Sequence, residues 1–392
     1  MNTRELLAEY TLPTYRRYGP VFVKGKGSWL WDEHGEQYLD LFPGWGVSIL
    51  GHCHPRISAA VCEQAQKLIH LPNNLYQHEQ AVLARDLVKC AFPSKVFFGN
   101  SGAEAIEGAI KFSRLYGKGT RYEIITMSNS FHGRTAGALA ATGQKKYQTP
   151  FKPLLPGFRE VPFNDYPALE RACTDTTVAV LLEPIQGEGG VNIADEEYLR
   201  QVAQFCARHD LLLIVDEVQT GMGRTGRMFC YEHYGITPDL MTLSKGLGAG
   251  LPISALLVKD TIADLMQPGT HASTFGGSPL VTRAAREALR IIKDENLRER
   301  AQTMGDFLCG ALHKLQKDSP RIIAVRGKGL MTAVELSADA APVFQECLKR
   351  KVIVNATHGN VLRIMPALTV TREEIEQGVE VISESLKNGG TE

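Results

Sequence analysis

Leu211-Leu212-Leu213-Ile214-Val215 runs unbroken into Asp216-Glu217-Val218-Gln219 and then Thr220-Gly221-Met222-Gly223-Arg224-Thr225-Gly226. Five apolar residues with no polar break are too few for a helix and read as a strand buried on both faces, as in a parallel sheet. The run ends abruptly in acids and then glycines, so the chain leaves the sheet carrying Asp216 at the strand's carboxyl end. Three further stretches repeat the pattern. Val178-Ala179-Val180-Leu181-Leu182 ends in Glu183-Pro184-Ile185-Gln186-Gly187-Glu188, and Glu123-Ile124-Ile125-Thr126-Met127 in Ser128-Asn129-Ser130-Phe131-His132-Gly133-Arg134. Leu240-Met241-Thr242-Leu243 ends in Ser244-Lys245-Gly246. Four strands thus deliver polar groups from their carboxyl ends, where an open α/β sheet builds its ligand site.

Lys245 sits where a strand gives way to a glycine-rich turn. A lysine facing a crevice and partly desolvated gives up its proton and condenses with an aldehyde. Val96-Phe97-Phe98 reads as a short strand, Gly99-Asn100-Ser101-Gly102 as a turn, and residues 103–116 as a helix. That helix has an apolar stripe at Ile106, Ala109 and Ile110, and Glu107 and Lys111 stand at the spacing of an exposed ion pair. Small residues at its start leave backbone N–H groups free, and the helix dipole adds positive potential, so a phosphate fits there. An anion site, an electrophile-seeking lysine and a strand-end aspartate together describe a phosphorylated aldehyde with a basic ring nitrogen: pyridoxal 5′-phosphate.

Composition restricts the function classes. The chain has 392 residues, is 44% hydrophobic and is formally neutral, so it can bury a large core, and nothing in its charge argues for nucleic acid. No apolar run approaches membrane length. The first ten residues lack an apolar signal core and carry Glu5 and Glu9, which points to the cytosol. Eight cysteines without a Cys-x-x-Cys pair read as reduced, mostly buried thiols. His52-Cys53-His54-Pro55 lacks further ligands at zinc spacing and reads as a turn before a helix, so no metal site is expected. A strand ending in Asp-Glu also occurs in ATPases. Here no phosphate-binding loop accompanies it, because Gly117-Lys118-Gly119-Thr120 has Phe112 where the first glycine belongs.

Strand and helix signals alternate from about residue 51 to 275. Residues 279–315 then read as long helix, with 322–336 and 352–366 as a short-stranded sheet and 372–386 as a closing helix. The expected organisation is an N-terminal segment (1–50) adding to a small lobe, a large cofactor-binding domain (51–277) and a C-terminal small domain (278–392). Gly25-Lys26-Gly27 and Asp32-Glu33-His34-Gly35 read as hairpin connections within the first piece.

Thr242-Leu243-Ser244-Lys245-Gly246, Asp216-Glu217-Val218-Gln219-Thr220-Gly221, Ser130-Phe131-His132-Gly133-Arg134-Thr135 and His271-Ala272-Ser273-Thr274-Phe275-Gly276-Gly277 resemble the signature segments of the class III, ornithine-type aminotransferases, in that family's order. The resemblance runs from about Tyr15 to the last helix. Ala141-Thr142-Gly143-Gln144 with Tyr147, Pro153-Leu154-Leu155-Pro156-Gly157-Phe158 and Asn360-Val361-Leu362-Arg363 are most similar to the acetylornithine branch. It implies a type I aminotransferase fold, with a large mainly parallel α/β domain and a smaller α+β domain, working as a homodimer with shared sites. The implied reaction moves the distal amine of N2-acetylornithine, or a close acylated diamino acid, to 2-oxoglutarate, as in arginine biosynthesis. Ornithine, succinylornithine, 4-aminobutyrate and aminoacyl-lysine are the alternative donors.

The resemblance also implies roles. Lys245 holds the cofactor and shuttles the proton, and Asp216 pairs with the ring nitrogen. Gln219 bonds the ring's phenolic oxygen and Phe131 stacks on its face. Ser101, Gly102 and Ala103 donate to the phosphate, joined by Thr274 from the neighbouring subunit. Arg363 and Arg134 bind the two carboxylates of 2-oxoglutarate and glutamate, a task suited to a guanidinium fork. Tyr15 helps hold the α-carboxylate of the donor, and Glu188 neutralises Arg363 while that donor is bound. Trp45 departs from the family pattern, which has a smaller aliphatic residue or a tyrosine there, and leaves the acyl group open.

Overall fold

The four apolar runs lie side by side. In the computed structural model, which describes residues 1–388, the strands Leu240–Leu243, Leu212–Asp216, Thr177–Leu182 and Glu123–Met127 are neighbours, all parallel, at the centre of a seven-stranded sheet. Phe158–Val161 extends the parallel set at one edge. At the other edge Ser254–Lys259 runs antiparallel, followed by Ser94–Gly99. Every residue of Thr177–Leu182 and Leu212–Asp216 is buried, which is why these strands carry no polar alternation. Helices cover both faces. Gly102–Tyr116 packs Ile106, Ala109, Ile110 and Phe112 against one side of the sheet. Glu196–Arg208 places Leu199, Val202 and Phe205 against the other.

A second four-stranded sheet, Ile322–Lys328, Met331–Leu336, Val361–Ile364 and Asn355–Thr357, is antiparallel throughout. The long helices Pro279–Asp294 and Leu297–Asp318 and the closing helix Arg372–Asn388 belong to the same part of the chain. A third sheet joins the two ends of the sequence. Phe22–Lys26, Trp29–Asp32 and Gln37–Asp40 form an antiparallel meander whose last strand pairs in parallel with Val352–Ile353.

Several local expectations change. Gly25 and Lys26 belong to a strand, and the reversal falls at Gly27-Ser28. Val352–Ile353 leaves the C-terminal sheet for the N-terminal one. Glu107 does not pair with Lys111. Its carboxylate instead accepts the N–H groups of Gly137 (2.8 Å) and Ala138 (3.2 Å) at the start of the next helix, while Lys111 Nζ bonds His271 Nδ1 at 2.9 Å. Satisfying two orphan N–H donors at a helix start outweighs a solvated surface pair. All eight thiols are free, but only Cys206, Cys230 and Cys347 are buried. Cys62 and Cys90 face solvent from the helices Pro55–Lys67 and His78–Cys90. The turn before the first of these helices is tied by His52 Nε2 to Asp40 Oδ2 at 2.8 Å.

Candidate active site

The carboxyl ends of the four central strands meet at a cavity of about 150 Å³ lined by Gly102, Ala103, Phe131, Glu188, Asp216, Gln219 and Lys245, with His132 and Glu183 beside them. Lys245 begins a single helical turn two residues beyond its strand, with φ at 36°, a left-handed value uncommon outside glycine. Burial depresses its pKa, and Arg363 depresses it further against the opposing pull of Glu188, Asp216 and Glu183. A larger share of the amine is therefore neutral and nucleophilic than on an exposed lysine.

Asp216 ends its strand almost fully buried. Its Oδ1 accepts the Val218 N–H and the Thr242 hydroxyl, each at 3.0 Å, and its Oδ2 lies 2.8 Å from His132 Nδ1. A carboxylate only accepts, so Nδ1 carries a hydrogen. The His132 Nε2 is buried and has no hydrogen-bond partner among the described residues.

At the anion end the helix Gly102–Tyr116 opens with a capping box. Ser101 Oγ accepts the Glu104 N–H, and the Ser101 N–H donates to Glu104 Oε2 at 2.8 Å. The backbone donor expected from Ser101 is therefore already used. Among the described residues the N–H groups of Gly102 and Ala103 remain unpaired at the positive end of a four-turn helix. A Cβ on Gly102 would stand 2.9 Å from the Val218 side chain, so only glycine keeps this end of the cavity open. Two free backbone donors, a strand-end carboxylate, an orphaned imidazole nitrogen and a desolvated amine match the anionic, basic and electrophilic ends of a phosphorylated pyridine aldehyde.

Behind Glu188 and Gln219 of the lining stands Arg363, on Val361–Ile364 and fully buried. Its Nη2 pairs with Glu188 Oε1 at 2.8 Å and its Nη1 donates to Gln219 Oε1 at 3.1 Å. Asn355, its cross-strand neighbour, accepts from Nε and Nη2 at 3.3 and 3.0 Å, and the guanidinium lies 4.6 Å from the Phe42 ring centroid. Burial pushes the Glu188 carboxyl upward, but Arg363, Lys245 and a hydrogen bond from Gln219 outweigh it and hold the pKa below the usual range. The close approach depends on Gly187, where a Cβ would lie 1.7 Å from Gln219 Oε1.

Ser101 and Arg363 adjoin the cavity without lining it, and four further expected residues are exposed away from it. Arg134 is exposed and lays its guanidinium 3.9 Å from the Tyr147 ring centroid, with Phe131 at 5.6 Å. Tyr15 and Trp45 are exposed and line a separate cavity of about 870 Å³ with Tyr18 and Phe22. Trp45 has φ at 55° between two left-handed glycines, and its ring meets Phe42 edge-on at 6.2 Å, two contacts from Arg363. Thr274 is exposed. Four residues given no role from the sequence belong to the site: His132, Glu183, Asn355 and Phe42. Glu183 had a usable signal, because like Asp216 it is the first acid after a buried apolar run.

The family model for class-III aminotransferases matches residues 14–386. The chain is 47% identical to the acetylornithine aminotransferase of Caldanaerobacter subterraneus subsp. tengcongensis, over 96% of this chain and 97% of the relative. It is 44% identical to that of Methanothermobacter thermautotrophicus, over 98% of each. Among solved structures it is similar to the ornithine aminotransferase of Toxoplasma gondii, in which PLP partly occupies the active site, with a TM-score of 0.93 and 35% identity over 98% of this chain and 93% of that one.

Proposed function

This chain belongs to the class-III aminotransferases, and we propose that it moves the distal amine of N2-acetylornithine, or of a closely related acylated diamino acid, to 2-oxoglutarate, yielding the semialdehyde and glutamate as in arginine biosynthesis. The cofactor in this reading is pyridoxal 5′-phosphate, which when bound supplies the electron sink for the carbanion left at the substrate carbon. Gly102 and Ala103 would hold its phosphate through their N–H groups, with Thr274 of a second copy and the Ser101 hydroxyl, once turned away from Glu104 Oε2, completing the shell. Asp216, oriented by Val218, Thr242 and His132, would pair with the ring nitrogen and keep a proton there. Phe131 would cover the ring and Gln219 would donate from its amide to the phenolic oxygen. Lys245 Nζ takes the proton from the substrate carbon and returns it on the far side of the exchange.

The observation that carries the substrate assignment is the fully buried Arg363 closed by Glu188 at 2.8 Å. A donor reacting at its distal amine brings no carboxylate to that point, and the ion pair keeps the guanidinium neutralised. Glutamate must place its α-carboxylate there, so Glu188 swings off and Arg363 takes the bidentate contact, with Arg134 holding the second carboxylate. Tyr15 holds the α-carboxylate of the first donor. Trp45, an indole in the outer cavity, favours a second reading in which unacylated ornithine is the donor.

The reading extends to a homodimer in the cytoplasm. It is supported by the exposed apolar side chains Ile69, Leu75, Tyr76 and Phe275, a patch that a second copy would cover. Among the described residues no helix is long and apolar enough to cross a membrane, and no cluster of His, Cys, Asp and Glu could hold a metal. The division at residues 50/51 and 277/278 belongs to the same reading, supported by the pairing of Gln37–Asp40 with Val352–Ile353. Steady-state rates for N2-acetylornithine, ornithine, succinylornithine, 4-aminobutyrate and an aminoacyl-lysine, each with 2-oxoglutarate, test the assignment. The highest kcat/KM is expected for the acetylated donor, and a preference for 4-aminobutyrate or the lysine derivative would overturn it.

A further inference from the structure

Glu183 is nearly fully buried at the carboxyl end of Thr177–Leu182, and no ion pair joins it to a cation among the described residues. Its two oxygens are used separately. Oε2 accepts the backbone N–H of Phe131 at 2.9 Å, and Oε1 accepts the backbone N–H of Gly187 at 3.2 Å. The first N–H belongs to the segment that sets Phe131 over the cavity, and the second to the segment that sets Glu188 against Arg363.

An unpaired buried carboxylate is unfavourable, and a single N–H could be accepted by a neutral amide at lower cost. Two N–H groups converging from different segments need two acceptor oxygens on one rigid stem, which a carboxylate offers and an amide does not. We propose that Glu183 is a positioning residue for the transamination, a double acceptor that fixes the ring-covering segment of Phe131 and the carboxylate gate of Glu188 to the end of one central strand. Setting the gate and the ring cover from a single stem keeps their separation constant while Glu188 changes partners.

The groups facing Glu183 fit this role. His132 and Asp216 adjoin it from the two flanking strand ends, and Lys245 and Glu188 line the same cavity. Burial raises its carboxyl to about 7, with Asp216 adding to the rise and His132 and the two N–H donors opposing it. Protonation weakens one acceptor, so the brace loosens as pH falls through that value.

The proposal rests on the aminotransferase reading for its kinetic arm only. Hydrogen exchange followed by mass spectrometry on the cofactor-loaded protein tests it without turnover. Glu183→Ala should speed exchange roughly tenfold or more in the peptides holding Phe131 and Gly187 together, and Glu183→Gln, which keeps one acceptor, in one of them only. Exchange elsewhere in the sheet should stay at the wild-type rate. In Glu183→Gln the ratio of the glutamate to the distal-amine half-reaction, measured by single-turnover absorbance, should shift and lose its pH dependence near neutrality. Unchanged exchange in both peptides, or a uniform rise over the whole protein, overturns the brace while leaving the transaminase assignment intact. A failed donor panel with the paired exchange response intact would do the reverse.

Discussion

Removing Glu188 should rebalance the two half-reactions by a predictable amount. At 2.8 Å, unit charges on Glu188 and Arg363 attract by roughly 6 kcal/mol at an effective dielectric of 20. Desolvating both groups takes back several kcal/mol, leaving a net coupling of about 2 to 3 kcal/mol. Glu188→Ala leaves Arg363 fully buried and held by the neutral acceptors of Gln219 and Asn355 and by the Phe42 ring. The guanidinium then has every reason to capture the α-carboxylate of glutamate and none to ignore it. At about 1.4 kcal/mol per decade, the glutamate half-reaction should gain roughly 30- to 150-fold over the distal-amine one. Arg363→Ala should move the ratio in the opposite direction, because a buried Glu188 without its partner repels the incoming carboxylate. Single-turnover absorbance with each donor, at saturating cofactor, reads the ratio directly. A ratio unchanged in Glu188→Ala refutes the gating argument, whatever happens to the overall rate.

Other perturbations separate the remaining groups. Asp216→Asn keeps the shape but meets the His132 Nδ1–H and removes the charge, so α-proton exchange from the amine donor should slow by orders of magnitude while cofactor affinity changes far less; equal losses in both would assign Asp216 to cofactor retention alone. Trp45→Ile should alter the ratio of rates among donors of different acyl length and spare the 2-oxoglutarate half-reaction; if all donors change equally, the indole acts through packing. Glu217 is buried, with its carboxyl raised to about 7 mainly by desolvation, so between the ordinary value of 4.5 and about 7 the folded state binds the extra proton and stability falls as pH rises. That interval corresponds to at most about 3 kcal/mol. The melting temperature of Glu217→Gln relative to wild type should therefore climb across it, and a flat difference would contradict the assignment.

The parallel core was readable because residues buried on both faces leave no polar alternation, and the four apolar runs need no partner to be recognised. Lys245 and Asp216 were readable for the same reason, since each stands where an apolar run stops. Contacts between distant segments were not. His132 meets Asp216 across 84 residues, and Phe42 meets Arg363 from the opposite end of the chain. Asn355 reaches Arg363 only because the strand register sets them opposite each other. Ser101 shows how a local bond narrows a role. The Ser101 N–H goes to Glu104 three residues on, which leaves only its hydroxyl for a phosphate. Glu107 and Lys111 likewise had the right spacing but better partners elsewhere.

In the proposed reaction the reactive amine is that of Lys245, at the end of Leu240–Leu243 and within the cavity that holds Asp216. Borohydride reduction of the pyridoxal-phosphate-loaded protein, followed by peptide mapping, tests it most directly. The label should fall on Lys245 alone, and Lys245→Ala should still bind the cofactor through its phosphate and ring contacts while losing the covalent label and nearly all turnover. A label on any other lysine, or an alanine variant that turns over at the wild-type rate, would remove Lys245 from that role.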